Sequence, residues 1–167
     1  MLRFSIITPN LNQGEFLQKN LISVSQQTYD SFEHIVIDGN SKDQSTEILK
    51  NYTHNKHFIY LCDSDAGQSD AINRGFQLAT GDILAWLNAD DFYSTDETIS
   101  IVAKVFNDNP DLDVVYGRGD YVDSSGTAKP AWIQESAENL SQTLSHSVGI
   151  LQLSLIHISE PTRRYSI

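Results

Sequence analysis

Short apolar runs alternate with amphipathic segments through the first two-thirds of the chain. Five runs have strand length, and they cover residues 4–10, 34–37, 58–62, 83–87 and 113–117. Between them, apolar residues recur at helical spacing, as Ile99, Val102, Ala103 and Phe106 do at i, i+3, i+4 and i+7. Strands that alternate with helices predict a mostly parallel central sheet covered by helices, a three-layer α/β fold.

Turn and cap residues set the expected ends of these elements. Proline cannot donate to a sheet ladder, so a loop is expected to begin at Pro9. Thr95 is expected to begin the fourth helix and Pro110 to close it, while residues 121–127 predict a strand that enters a polar hairpin. Two pairs have the spacing of helix-entry caps, Asn12 with Glu15 and Ser41 with Gln44.

The fourth apolar run ends in two adjacent carboxylates, Asp90 and Asp91. Open α/β sheets bind ligands just beyond the carboxyl ends of their strands. Adjacent carboxylates repel each other, and Mg²⁺ or Mn²⁺ relieves this repulsion while taking its other ligands from water and phosphate. The pair therefore indicates a metal site, and the alternative is a solvated turn that caps the helix expected near Thr95.

Two further strand ends carry candidate ligands. Asp38 follows the second run, where it is either a turn former or an acceptor for a base or ribose. Gly67 precedes the third helix, whose free backbone N–H groups offer a cradle for phosphate, although most helix starts bind none. Arg74, one turn into that helix, is expected to be a surface residue.

The charge of the chain is strongly acidic and unevenly distributed. The 167 residues suit a single domain, with 22 acidic and 11 basic side chains and a net charge of −11. The segment from Asp63 to Asp123 holds 13 of the acidic residues and 3 of the basic ones. This excess argues against unaided binding of nucleic acid or anionic lipid at the Asp90-Asp91 edge. Three of these residues are interpreted as solvated surface: Asp108, Asp111 and Asp113.

The sequence contains no motif for a disulfide, a histidine-ligated metal or several other common catalytic sites. Cys62 is the only cysteine, so no internal disulfide is possible, and it is expected to be a buried core thiol. No histidine lies in a metal-ligand pattern, and no Walker loop, dinucleotide fingerprint or nucleophile elbow occurs. Without a leader or an apolar run of about 20 residues, a cytoplasmic protein without a transmembrane segment is expected. Peripheral membrane association of a longer protein remains open.

Four segments in order are more specific than any one of them: Ser5–Asn10, Val36–Thr46, Asp65–Gly75 and Asn88–Asp91. Together they resemble a family 2 glycosyltransferase over about Leu2 to Val122. The resemblance implies the A-type glycosyltransferase fold, with a Rossmann-like nucleotide-binding part. Relatives continue with an acceptor half, so residues 1–152 are expected to be a nucleotide-binding domain that is truncated at its C-terminus.

The resemblance also implies roles for individual residues. Asp38 matches the acid that reads the base, through a ring N–H that uracil has. Asp91, together with Asp90, matches the ligand of a Mn²⁺ or Mg²⁺ cofactor, and Asn88 stands where many relatives have an acid, which implies weaker metal affinity. The implied nucleotide-sugar-binding set is Thr8, Asn10, Asp38, Asp65, Gly67, Asp70 and Asp90.

The implied reaction is metal-dependent transfer of a sugar from a nucleotide-diphosphate donor, expected to be a UDP-sugar. The acceptor would be a hydroxyl of a glycan or a lipid-linked acceptor, and the outcome would be inversion. Inversion needs a general base, and neither Glu135 nor Glu138 lies in a pattern that identifies it. The catalytic residue is therefore unassigned, and the chain alone is expected to be inactive.

Two other functions stay open from the sequence. One is a non-catalytic nucleotide-binding or interaction domain. The weaker one is a nucleotidyltransferase, whose basic loop after the first strand has no match in Pro9–Gly14. Residues 153–167 depart from the family pattern and resemble the translation of a sequencing adapter, so they are expected to be a non-native or disordered tail.

Overall fold

The computed structural model describes residues 1–116, residue 122 and the backbone of residues 155–158. The chain divides into two compact units, residues 1–115 with 154–167, and residues 116–153, and the fold below is that of the first. Its elements in chain order are β1 (Phe4–Asn10), α1 (Gly14–Ser25), β2 (Phe32–Asp38), α2 (Ser45–Tyr52), β3 (Phe58–Cys62), α3 (Gln68–Leu78), β4 (Ile83–Trp86), α4 (Thr98–Asp108), β5 (Val114–Tyr116) and β6 (Leu155–Ile158).

The strands form one sheet in the order β3-β2-β1-β4-β6-β5. The pairs β1–β2, β1–β4 and β2–β3 are parallel, with Phe4 opposite Phe32 on one side and Ile83 on the other. The predicted mostly parallel α/β sheet is confirmed. Because β1 to β4 are parallel neighbours, their carboxyl ends meet at the same edge, which is called the carboxyl edge below.

Helices cover both faces of this sheet. On one face, Val36 of β2 packs with Leu17 and Leu21 of α1 and Leu49 of α2. Side chains alternate between the two faces of a strand, so Ile35 and Ile37 point the other way and pack against Ala71 of α3. α4 joins the first face through a cluster that contains Phe4, Ile6, Ile99 and Phe106. These three layers bury β1 and β2 completely.

Pro9 does not end β1, which continues to Asn10 and pairs with β2 over its whole length. The prediction of a break failed because the missing N–H of proline falls where no partner is needed. The β4 ladder ends at Ile7, whose carbonyl accepts from Leu87 N. Pro9 therefore occupies a position that lacks a neighbour on its β4 side, where proline costs little.

Neither predicted cap pair caps its helix. Asp43 serves both helices instead, since its carboxylate accepts from Gly14 N at 2.8 Å and from Ser45 N at 3.0 Å. Asn12 Oδ1 accepts from Lys42 N at 2.7 Å, which ties the β1–α1 loop to the β2–α2 loop. Helix α4 begins at Thr98, three residues after the predicted start.

Part of the predicted tail lies in the sheet. The backbone of Leu155–Ile158 pairs antiparallel with β4, with Ile83 opposite Ile158. This pairing places those four residues in the sheet, and the interpretation of residues 153–167 as a non-native or disordered tail stays a prediction. The predicted hairpin at residues 121–127 lies outside the described residues except for residue 122.

Candidate functional site

The parallel strands bring the predicted site residues to the carboxyl edge. β1 ends at Asn10, β2 at Asp38 and β3 at Cys62, and the chain leaves β4 toward Asn88 and Asp91. The register places Asn10 opposite Asp38, and Asp38 opposite Cys62. The topology therefore confirms that the strand ends with polar residues are neighbours.

Thr8 and Asn10 both lie beneath this edge. Thr8 is fully buried, and its Oγ1 lies 2.9 Å from Nε2 of His34. His34 is itself buried, which lowers its pKa to about 3 and keeps the ring neutral. Thr8 is therefore bonded to His34 inside the protein, and its place in the nucleotide-sugar-binding set stays a prediction. Asn10 is 3% exposed, and its Oδ1 accepts from no donor in the described part of the chain.

Asp38 is fully buried, and its carboxylate is satisfied within the chain. Oδ1 accepts from Asn10 Nδ2 and from Ser41 Oγ, each at 2.6 Å. Oδ2 accepts from Ser41 N at 2.9 Å and from the thiol of Cys62 at 3.2 Å. Four donors match the roughly four lone-pair positions of a carboxylate.

These four bonds argue against direct reading of a base by Asp38. The physical reason is the alternation of side chains along β2. Asp38 lies on the same face as His34 and Val36, the face that α1 and α2 cover, so its side chain enters the interior. Ser41, predicted as a helix cap, is instead a partner of this buried carboxylate.

Cys62 is exposed, so the prediction of a buried core thiol is wrong. It ends β3, which is the edge strand of the sheet, and edge strands leave one side open to solvent. Partial burial, the bond to Asp38 and the charge of Asp38 together raise the pKa of the thiol.

The loop between β3 and α3 crosses the carboxyl edge. At one end Asp63 N donates to the Asp38 carbonyl at 3.0 Å, and at the other Gln68 Nε2 donates to Asn88 Oδ1 at 2.9 Å. Arg74 is half-buried rather than a free surface residue, and its guanidinium holds Ser64 O and Asp63 Oδ2, each at 3.1 Å. The loop is thus anchored at β2, at β4 and from α3.

Asp65, Gly67 and Asp70 lie within or next to this loop. Asp65 Oδ1 accepts from Gly67 N at 2.9 Å, and Asp70 Oδ2 accepts from Ala66 N at 3.1 Å. Gly67 has φ of 117°, a backbone conformation that favours glycine. These contacts shape the start of α3 and leave other oxygens of both carboxylates facing no donor in the part of the chain that the structure describes.

The Asp90-Asp91 pair lies in a tight turn after β4, in which Asp91 N donates to Asn88 O at 3.0 Å. Asp91 is half-buried and Asp90 is exposed. Burial and the adjacent charge of Asp90 raise the pKa of Asp91 to about 6, against a bond from Asn88 Nδ2 at 3.2 Å that lowers it. The carboxylate is therefore held where its charge is poorly compensated.

Asn20 of α1 fixes this turn and was missed by the sequence analysis. It is fully buried, and its Nδ2 donates to the carbonyls of Asn88 and Asp91 at 2.9 and 3.0 Å. A signal was available, because Asn20 is a polar residue on the apolar face that Leu17 and Val24 define.

The donor set fits a hard divalent cation that shares its shell with water and a ligand. No group of three or more His, Cys, Asp or Glu side chains suited to a metal occurs among the described residues. Mg²⁺ and Mn²⁺ commonly use one or two carboxylates together with phosphate oxygens, which Asp90 and Asp91 can provide. Asn88 Oδ1 is already engaged by Trp86 Nε1 and Gln68 Nε2 at 2.9 Å each.

Three further predictions concern a helix cap, the general base and membrane-spanning helices. The Asp90-Asp91 pair does not cap α4, since Glu97 occupies the N-cap position and Ile99 N donates to Oε1 of Gln27 at 3.0 Å. The general-base candidates Glu135 and Glu138 lie outside the described residues. Within those residues, the helices fall short of the length and apolar character that crossing a bilayer requires.

Comparison with known sequences gives a family match over most of the chain. The family model described as Glycosyl transferase family 2 matches residues 5–158. A PGL/p-HBAD biosynthesis glycosyltransferase of Mycobacterium bovis is 39% identical over 116 residues, which cover 68% of this chain and 45% of that protein. The uncharacterized glycosyltransferase YibD of Escherichia coli is 35% identical over 122 residues, 71% of this chain and 34% of that protein.

Solved structures share the fold. A mannosyltransferase from Pyrobaculum calidifontis, in complex with GDP-Man and Mn²⁺, matches with a TM-score of 0.63 at 20% identity, covering 68% of this chain and 34% of that one. TarS of S. aureus, in complex with UDP-GlcNAc, matches with a TM-score of 0.61 at 27% identity, covering 71% and 36%. The predicted fold is confirmed, and the chain spans about half the length of the curated relatives it matches.

Proposed function

This chain belongs to glycosyl transferase family 2, and from that premise we propose that it binds a nucleotide-diphosphate sugar together with a divalent metal ion. The observation that carries the proposal is Asp91. A half-buried carboxylate whose pKa is raised to about 6 beside a second carboxylate gains most from a cation. The longer protein would transfer the sugar to an acceptor hydroxyl.

The residues of the carboxyl edge have distinct parts in this proposal. Asp91, with Asp90, would hold Mn²⁺ or Mg²⁺, which when bound supplies compensation for charge on the leaving diphosphate. Asn20 positions the turn that carries both carboxylates. Asn10, Asp65, Gly67 and Asp70 would surround the nucleotide, while Asp38 fixes Asn10 and Ser41 from below.

The finer features of the donor and of the reaction are also proposals. A UDP-sugar donor is supported by TarS, which was solved with UDP-GlcNAc, and use of a metal by the mannosyltransferase, which was solved with Mn²⁺. Inversion at a hydroxyl of a glycan or lipid-linked acceptor would need a base on the acceptor side. The carboxylates proposed here for metal and nucleotide would lie on the donor side, so they would not fill that role.

A second candidate is a non-catalytic nucleotide-binding domain. It is favoured by the lack of an assigned acceptor base, because the carboxylates of the carboxyl edge are those proposed for metal and donor, and Glu135 and Glu138 lie outside the described residues. Incubation of the chain with labelled UDP-sugars, Mn²⁺ and candidate acceptors tests whether the chain alone transfers a sugar. We expect donor binding without acceptor glycosylation, and many turnovers on an acceptor would contradict that expectation.

Metal-dependent binding is tested by calorimetry on the full chain. UDP affinity should be higher with Mn²⁺ than with EDTA, and Asp91→Ala should remove this difference, a loss of about tenfold or more. Asp96→Ala, an exposed carboxylate five residues further on, makes the same change in charge and should bind UDP as the wild type does. Retained metal dependence in Asp91→Ala would remove the assigned site.

A further inference from the structure

Gly39, the first residue after β2, lies directly under the loop that precedes α3. A Cβ placed on Gly39 would come within 2.8 Å of Asp65 Oδ2 and 3.3 Å of Leu11 Cδ1. The backbone of Gly39 is not left-handed, so glycine provides room here rather than an unusual conformation. The carboxylate of Asp65 thus takes the space that a side chain at residue 39 would fill.

Asp65 differs from Asp38 in how its oxygens are used. Its Oδ1 accepts from Gly67 N, and no donor within residues 1–116 reaches its Oδ2. Asp38, one residue before Gly39, is fully buried and takes four donors from within the chain. Of these two acids beside Gly39, only Asp65 is partly exposed and has lone pairs available for a ligand.

The position of Asp65 along the carboxyl edge matches the base end of a nucleotide. Neighbouring strands lie about 4.8 Å apart, so the end of β2 is about 10 Å from the end of β4 across β1. A diphosphate beside Asp91 at β4 therefore directs the ribose over β1 and the base toward β2. Leu11, which is 53% exposed, offers an apolar surface for the ring at the same place.

We propose that Asp65 selects the base of the donor nucleotide by accepting its ring N–H on Oδ2. This inference rests on the proposed function, and it assigns base recognition to a residue other than Asp38. Uracil presents a ring N–H between two carbonyls, and a bond from it to a carboxylate is charge-assisted. Cytosine presents a lone pair at that ring position, which a carboxylate repels, so CDP should bind more weakly than UDP.

The test compares three probes in calorimetry with Mn²⁺: UDP, N3-methyl-UDP, which lacks the ring N–H, and inorganic pyrophosphate. Asp65→Ala should raise the Kd of UDP about 10- to 100-fold, the range for a hydrogen bond to a charged group. Pyrophosphate should bind both proteins equally. N3-methyl-UDP should also bind both proteins equally, because its missing donor and the missing acceptor belong to the same bond.

One variant controls for the loss of charge, and a second variant tests the position of the acceptor. Asp30→Ala removes an exposed carboxylate before β2, at the opposite end of the sheet, and should leave all three Kd values unchanged. Gly39→Ala keeps Asp65 but forces its Oδ2 away from the added Cβ. Gly39→Ala should weaken UDP binding and leave pyrophosphate binding unchanged, because it displaces the acceptor for the base and leaves the diphosphate site intact.

The outcomes separate this inference from the proposed function. If the wild type binds UDP and Asp65→Ala binds it equally well, base selection by Asp65 is overturned while the proposed function stands. Base selection is also overturned if Asp65→Ala weakens the binding of UDP and of pyrophosphate equally. The same holds if the losses of affinity caused by Asp65→Ala and by N3-methylation of UDP are additive. Absence of UDP binding by the wild type would overturn the proposed function and this inference with it.

Discussion

Each end of the parallel sheet carries a carboxylate that is shielded from water, and the two differ in the number of hydrogen-bond donors that the chain supplies to them. At the amino end, Glu33 is 4% exposed and accepts from Ser5 Oγ, from Thr80 and from Arg3. Burial alone would raise its pKa, but these bonds outweigh burial and lower it. At the carboxyl end, Asp91 has one side-chain donor and a like charge beside it, and its pKa is raised to about 6.

The difference distinguishes carboxylates that stabilise the fold from carboxylates that are available to bind a ligand. An acid with its lone pairs filled from within the chain fixes neighbouring backbone, as Glu33 fixes the turn at Thr80. An acid that burial deprives of water without supplying donors is costly in the free protein, and a bound cation offsets this cost. By this criterion Asp38 groups with Glu33, although it lies at the other end of the sheet.

The largest expected effect on stability comes from Asp38→Ala. The substitution leaves the donors of Asn10 and Ser41 unpaired inside the protein, so the free energy of unfolding should fall by about 3 kcal/mol. Urea denaturation measures this change, with Asp65→Ala as the matched acid that should cost little. If Asp38→Ala keeps wild-type stability but loses UDP binding, Asp38 belongs with the carboxylates that bind ligand rather than with those that stabilise the fold.

Glu33→Ala should have the next largest effect. Thr80 N and Ser5 Oγ would lose their acceptor, but the cluster lies near solvent through the half-exposed Arg3, so water replaces part of the bonding. We expect a loss of about 2 kcal/mol in the free energy of unfolding. Donor binding should be unchanged, since the cluster lies at the far end of the sheet. A selective loss of UDP binding would break the comparison.

The sequence predicted the layers and the order of strands and helices, because apolar periodicity is a local signal. It predicted the element ends less well, since β1 continues through Pro9 to Asn10. It missed the bond from Gly14 N to Asp43 and the bonds from Asn20 to the Asp91 turn, since each joins residues that are distant along the chain. For Asp38 the local pattern held information that was not used. Counting alternate residues from His34 and Val36 places Asp38 on the covered face.

The two kinds of carboxylate should also differ in how pH affects stability. The folded pKa of Asp91, about 6, lies above its ordinary value, so its stabilising contribution is full at low pH and is lost as pH rises through 6. Glu33 has a lowered pKa, so its contribution is present above its ordinary pKa and is lost as pH falls.

Asp91→Asn should therefore be more stable than the wild type at pH 7.5 in EDTA. The expected gain is about 1 kcal/mol relative to the difference at pH 4.5, a value reduced because the carboxylate is partly exposed. Urea denaturation at the two pH values measures it, with Asp96→Asn as the exposed control. A gain that is independent of pH would show that ionisation of Asp91 is not its source.

The smallest expected effect is a change in the reactivity of Cys62, which serves as a reporter because it is the only cysteine. Its thiol is exposed, donates to Asp38 and has a raised pKa, so alkylation should be slow at pH 7 and faster at pH 9. A base seated at the end of β2 would lie beside Cys62, whereas pyrophosphate at β4 would lie away from it. UDP with Mn²⁺ should therefore slow alkylation severalfold, and pyrophosphate with Mn²⁺ should not. Mass spectrometry of the labelled chain measures both rates, and equal protection by the two ligands would contradict the placement of the base.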